Sequence, residues 1–279
     1  MNKILLIILI FISVYATGQT SLRNGIKGYW KFEESTGTTA YDQTANDNDF
    51  TNSDVVLDSA GIKDKCYYFN GTSSVLTLSS ASDFEGLTGL TVSAWVYTTY
   101  WTTGDEYSII VSKLHSSWES PFYQFQLRVR HGAYDRYEFV VGSSSTFGLV
   151  VSDNDTYLRD QWVHLLGYWH NNGTMKLYVN GTLVDDAPGA SVTTATGSAT
   201  SPLTIGDDND LYSGFEVWEG KIDEVLILNR FVHDEEIQML YNGGDGLLFV
   251  QDNFRNNHDY AKLVKYFIGK FYLTMINNL

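Results

Sequence analysis

The sequence predicts an all-β protein: an antiparallel two-sheet sandwich of the jelly-roll kind, with one short C-terminal helix and a separate helical tail. Three observations predict it. Apolar and polar residues alternate over runs of about five to nine residues rich in Val, Ile, Tyr, Phe and Trp, the period-2 pattern of half-buried strands. Gly, Asn, Asp and Ser separate the runs, and helical spacing is nearly absent before residue 233. Strands are expected at about 28–34, 66–69, 73–78, 90–98, 107–114, 122–130, 136–141, 147–151, 161–169, 174–179, 182–185, 202–206 and 221–228. Asn70-Gly71, Asn172-Gly173 and Asn180-Gly181 fall between runs, where a type I′ hairpin turn needs positive φ at both central positions. Many short strands with so little helix indicate a sandwich or jelly roll rather than an α/β fold.

The two ends differ from this pattern. Lys3, the apolar run Ile4 to Val14 and the small residues Ala16-Thr17-Gly18 read as a signal peptide over 1–18, with the mature chain starting at Gln19. That run is about ten residues, short of the roughly 20 a membrane span needs, so export to the outside or the cell surface is expected rather than a transmembrane anchor. At 233–242, Ile237, Leu240 and Tyr241 recur at helical spacing behind Asp234, Glu235 and Glu236. Acids favour a helix N-terminus, and Asn242-Gly243 ends the helix. The domain is therefore placed at 19–245. Residues 246–279 form a tail in which Leu263, Val264, Phe267, Ile268 and Phe271 mix with Lys262, Lys265 and Lys270. Their period suggests an amphipathic helix that touches a membrane or a partner. A truncated or shifted reading frame is the alternative origin of this tail.

Charge narrows the partners. Residues 19–245 hold 31 Asp and Glu against 13 Lys and Arg, a difference of −18. Such a domain repels nucleic acid and anionic membrane surfaces and suits neutral ligands or divalent cations. The chain has one cysteine, Cys66, so no internal disulfide forms; its apolar strand neighbourhood marks it as a small buried hydrophobe rather than a nucleophile. The six histidines show no metal-ligand spacing and read as structural.

Several segments then carry a resemblance in order: Tyr29-Trp-Lys-Phe-Glu33, Ala40 to Asn48, Phe69-Asn-Gly-Thr72, Leu90 to Val96, Trp162-Val-His-Leu165, Lys176 to Gly181, Leu203-Thr-Ile-Gly206, and Gly220 to Gly244. The chain resembles the laminin-G-like family of the concanavalin A-like lectin/glucanase jelly rolls over residues 28–244. The resemblance implies a structural calcium ion between the amino-terminal strand and the closing Gly-x-Ile-Asp segment, mapped onto Asp42, Asn48 and Asp223, with Asn46 as a further oxygen donor. The alternation Asp42-x-Thr44-x-Asn46-x-Asn48 supplies oxygen ligands of the kind calcium takes. Ala45 and Asp47 replace the family's usual glycines there, and Asx-turn hydrogen bonds explain the same residues without a metal. His233 stands where a capping Ser is common, with Asp234 able to cap instead. Asp207-Asp-Asn-Asp210 is a second acidic stretch, read as a solvated turn.

Glucanases of the superfamily place two glutamates on one strand face, close enough to flank a glycosidic bond. No such spacing occurs here, and the adjacent Asp223-Glu224 would project to opposite faces of a regular strand. No Gly-x-Ser-x-Gly, His-Glu-x-x-His or Walker-type loop is present. Loop aromatics are the remaining positive sign, since sugar rings stack on Tyr or Trp while polar neighbours hold their hydroxyls. Tyr100, Trp101, Trp118 and Tyr134 lie in connections and are the ligand-contact residues expected. The Asn-x-Thr motifs at Asn70, Asn154, Asn172 and Asn180 match glycosylation acceptors, three of them at turns. The reading that results is a secreted, non-catalytic module that binds an extracellular glycan or a protein. The alternatives are a glycoside hydrolase of the same superfamily and a structural adhesin or envelope module.

Overall fold

The computed structural model describes residues 22–100, 104, 106–114, 123–143, 146–187, 192, 201–208 and 216–246, and these fall within one compact unit, Met1–Leu247. Two antiparallel sheets form a sandwich. Sheet A runs through β14 (Thr182–Ala187), β13 (Met175–Val179), β12 (Val163–His170), β7 (Gly89–Tyr97), β16 (Glu219–Leu228), β5 (Lys65–Asn70) and β4 (Val56–Ala60), with β1 (Ile26–Trp30) also paired to β16. Sheet B runs through β11 (Phe147–Val151), β10 (Arg136–Gly142), β9 (Tyr123–Arg130), β8 (Tyr107–Leu114), β15 (Leu203–Ile205), β6 (Val75–Leu78), β3 (Phe50–Ser53) and β2 (Thr39–Ala40). A helix, α1 (Asp234–Tyr241), follows the last strand.

Alternation explains the layering. On β9, Phe125, Leu127 and Val129 enter the core between the sheets while Gln124, Gln126 and Arg128 alternate with them; on β10, Tyr137, Phe139 and Val141 enter and Glu138 does not. Sheet A supplies Val92, Ala94 and Val96 from β7 and Ile222, Val225 and Ile227 from β16. Each fully buried large apolar side chain removes about 1.5–3 kcal/mol worth of surface from water, so these central strands hold most of the stability. Gly167 lies where a Cβ would come 2.2 Å from Phe139 of the facing sheet, so a side chain there would push the layers apart.

The first and last expected strands pair directly. Gly28 faces Ile227, Tyr29 faces Leu226 and Trp30 faces Val225, so chain start and chain end close one edge together. β16 pairs β5 with its first half and β1 with its second, while β7 lies along its other side. At the change of partner, Glu224 takes φ 50° and the register shifts. This is a β-bulge in a central strand.

Several sequence expectations need correction. The strand expected at 28–34 stops at Trp30, because buried Phe32 takes φ 58° and stacks on Tyr67 at 4.6 Å. β2, β3 and β4 were not anticipated; they are short, and only Ala40 and Phe50 among them are fully buried, so their alternation is faint. Asn70-Gly71 makes no hairpin, since β5 and β6 belong to different sheets. Its Asn70 Oδ1 instead accepts the amides of Thr72, Ser73 and Ser74. Asn180-Gly181 does have positive φ at both positions, 49° and 72°. In α1 the Glu236 carboxylate accepts the His233 amide and pairs with Arg230, so Glu236 and not Asp234 closes the helix start. Asn242, at φ 48°, ends it as expected.

Candidate functional site

Two acidic segments meet at Tyr29. Asp42 Oδ1 accepts the amides of Tyr29 and Thr44, each at 3.0 Å; Oδ2 accepts the Thr44 hydroxyl at 2.7 Å and the Asn48 amide at 3.1 Å. Asn46 Nδ2 donates to the carbonyls of Ile26 and Lys27, and Asn48 Nδ2 to Lys27 O and Asp83. These side chains lash the 42–48 loop to β1. Asp223 lies in another network: Oδ2 accepts the amides of Ile62 and Lys63, and Oδ1 accepts that of Glu224. A Cβ on Gly61 would sit 2.5 Å from Asp223 Oδ2, so only glycine permits this approach.

The set Asp42, Asn46, Asn48 and Asp223 is therefore split between two networks, and its carboxylate oxygens serve backbone and hydroxyl donors of the chain. That arrangement does not fit a shared calcium ion, whose ligands must turn their oxygens toward one point. Among the described residues, no group of three or more His, Cys, Asp or Glu is placed to hold a metal ion.

Asp223 and Glu224 are both buried. The bulge overrides the alternation expected of a regular strand, and Glu224 takes the Tyr29 hydroxyl as its donor. Burial, then the neighbouring Glu224, raises the Asp223 carboxyl to about 9 against the pull of three amides; burial raises Glu224 to about 7. Cys66, with its Sγ 3.2 Å from Ala60 O, is pushed up to about 12 by burial, so it has no thiolate character at neutral pH.

Of the expected ligand-contact residues, Tyr100 and Tyr134 lie at one end of sheet B. Tyr107 faces Arg130, and Arg130 faces Arg136, at one end of β8, β9 and β10. Tyr100, and the Tyr134 turn between β9 and β10, lie at that end: the Tyr100 ring is 5.5 Å from that of His131, whose amide bonds Glu106 O. Leu114 faces Tyr123 at the other end, and the connection bearing Trp118 leaves from there, eight residues or about 25 Å of strand away. Trp101 and Trp118 themselves lie outside the described residues.

Tyr134 is clasped by cations, with the Arg130 guanidinium 3.9 Å and that of Arg136 4.6 Å from its ring centroid. Arg128 sits 4.0 Å over the Tyr107 ring. Beneath them, Glu138 accepts Arg128 Nε and Nη2 on one oxygen, at 3.0 and 2.9 Å, and Arg136 Nε and Nη2 on the other, at 3.0 and 2.8 Å. Arg128 Nη1 also reaches Gln126, which bonds Ser112. One buried glutamate between two bidentate arginines makes a rigid polar face. Sequence reading missed this network. The run Gln124-x-Gln126-x-Arg128-x-Arg130 carried the signal, since those four share one face of β9.

Two serine–histidine pairs were also missed. Ser108 Oγ lies 2.9 Å from His131 Nε2, with Asp135 3.8 Å from the other ring nitrogen; Ser93 Oγ lies 2.8 Å from His164 Nε2. Both serines and both histidines are buried, so neither hydroxyl meets a substrate, and 3.8 Å is too long for the orienting hydrogen bond of a triad. Burial lowers both imidazoles, His164 to about 3, which keeps them neutral.

A family model described as concanavalin A-like lectin/glucanases superfamily, of the laminin-G type, matches residues 70–238. The chain belongs to that superfamily. The human adhesion G-protein coupled receptor D1 is 33% identical over 85 residues, 30% of this chain and 10% of the receptor. Among solved structures, the superfamily sandwich superposes on the botulinum neurotoxin serotype D ligand binding domain in complex with N-acetylneuraminic acid, at TM-score 0.62 and 15% identity, covering 81% of this chain and 52% of that one. The binding domain of Paraclostridial Mosquitocidal Protein 1 superposes at TM-score 0.61 and 14% identity, covering 79% and 52%. At such identities the likeness is one of fold, and the chain spans about half the length of each.

Proposed function

We propose that this protein is a secreted, non-catalytic binding module that recognises an extracellular carbohydrate or protein partner through the Tyr100–Tyr134 end of sheet B. One observation carries the reading: Tyr134, clasped by Arg130 and Arg136 and braced through Arg136 by buried Glu138, forms with them a fixed surface of aromatic and donor groups. Half-buried Tyr100 stands beside the same turn. The shared fold of binding domains supports this reading, and the complex of one such toxin domain with N-acetylneuraminic acid makes a carbohydrate the first ligand class to try. The glycoside hydrolase alternative finds less support, because the acid pair in the closing strand, Asp223-Glu224, is buried and bonded to Tyr29, Ile62 and Lys63.

The test is a glycan array read with the purified protein, together with Trp101→Ala and Tyr134→Ala. Binding that Tyr134→Ala weakens by about tenfold or more, at unchanged melting temperature, is expected. Binding unaffected by either variant would move the contact elsewhere, and reducing-sugar release from any oligosaccharide would revive the hydrolase reading.

A further inference from the structure

On the far side of sheet A from the core, α1 packs through its Tyr241 on Trp95 and His164. The rings of Trp95 and Tyr241 are 5.8 Å apart and within 19° of parallel, and His164 lies 5.1 Å from Trp95. Gln238 Nε2 ties the helix to Gly181 O at 2.8 Å. This pinning does not close the space beside it. Between α1 and the β13–β14 hairpin is a cleft of about 290 Å³, lined by Lys176, Tyr178, Gly181, Leu183, Asp234, Ile237 and Gln238.

The lining has a definite chemistry. Leu183 and Ile237 supply aliphatic wall, and Leu183 is 43% exposed. Tyr178 is only 5% exposed and borders the cleft, and its ring is 6.2 Å from that of Tyr168. Lys176 and Asp234 line the cleft beside Tyr178. Lys176 also pairs with Asp186 at 3.5 Å. With one ammonium and one carboxylate the lining itself carries no net charge, so it suits a neutral ligand better than an ion of either sign. A neutral molecule with an aliphatic face and several hydroxyls suits both the wall and the mixture of donors and acceptors.

We infer that this cleft is a second binding site, on the opposite sheet from the Tyr134 surface, and that it takes a single neutral hexose-sized ring. Its volume lies at the small end of ligand clefts, which begin at about 300 Å³, so further rings of an oligosaccharide extend into solvent past β14. The aliphatic edge of the ring rests on Leu183 and Ile237. Asp234 accepts from ring hydroxyls, while Lys176, Tyr178 and Gln238 offer donors.

The probes are methyl α-D-glucopyranoside, methyl α-D-mannopyranoside, methyl β-D-galactopyranoside and N-acetylglucosamine, each titrated into the full chain and followed by amide chemical shifts. One of them is expected to move the amides of Tyr178, Gly181, Leu183, Ile237 and Gln238 together. Leu183→Trp, which fills the cleft from an exposed position, and Asp234→Asn, which keeps its shape, should each weaken that response by about tenfold. Tyr134→Ala should leave it intact, which separates this site from the sheet B surface. Absence of a response at these amides to all four sugars overturns the inference, as does a response that both cleft variants leave unchanged.

Discussion

Asp42 and the Asp223–Glu224 pair both bind β1 through Tyr29, one to its amide and the other to its hydroxyl, yet they are built on different balances. Asp42 is a single carboxylate with four donors, three from its own loop and one from the Tyr29 amide of β1. At the bulge, two buried carboxylates share three amides and a phenol. A lone carboxylate with two donors on each oxygen is compensated for its burial, whereas at the bulge burial drives both carboxyls toward protonation, and Glu224 adds to this at Asp223. The same residue type thus acts as a plain structural knot at one side of β1 and as a proton-sensitive joint at the other.

The largest effect expected is at the knot. Asp42→Ala leaves four donors without their acceptor, and at roughly 1 kcal/mol each it should cost about 3 kcal/mol or more in urea unfolding. Because its oxygens are taken by the chain, chelator should not change the melting temperature of the unaltered protein. A fall in EDTA that disappears in Asp42→Ala would break the comparison and give Asp42 a cation. Next comes Gly61→Ala, whose Cβ would meet Lys63 O and Lys65 O at 2.3 Å and Asp223 at 2.5 Å. Opening the Ile62–Lys63 loop removes two of the bulge's donors and should cost about 2 kcal/mol. A neutral result would mean that the bulge does not depend on that loop.

The smallest effect separates the two regions by pH. Folded-state values near 7 and 9, above the ordinary 4.5 and 3.8, mean that the bulge pair stabilises fully in acid and loses that contribution as pH rises through each value. Glu224→Gln removes the lower step. Its stability should fall less than that of the unaltered protein between pH 6 and 8, by about 1 kcal/mol. Equal slopes would show that Glu224 is ionised in the fold throughout that range.

Much of this was readable along the chain where a signal is local. The alternation of β7, β9, β10 and β12, the acids ahead of α1 and the turn at Asn180-Gly181 each depend on a few neighbouring residues. The β2–β4 segment was not legible, because short edge strands with few buried residues carry little period. Tyr100 and Tyr134 were recognised as loop aromatics. That they share one end of sheet B while the connection bearing Trp118 leaves the other follows from strand direction.

The sequence by itself determined the sandwich, its family and the segments that open and close it, since hydrophobic period and ordered motifs survive as one-dimensional patterns. Only the tertiary structure decided what the polar residues do. Glu138 gathers two arginines, Asp42 and Asp223 answer to separate loops, and Lys176, Tyr178 and Asp234 come to border one cleft. A hydrogen bond or a cleft depends on distance in space, and pairs such as Tyr29–Glu224 and Ile62–Asp223 are joined across most of the chain.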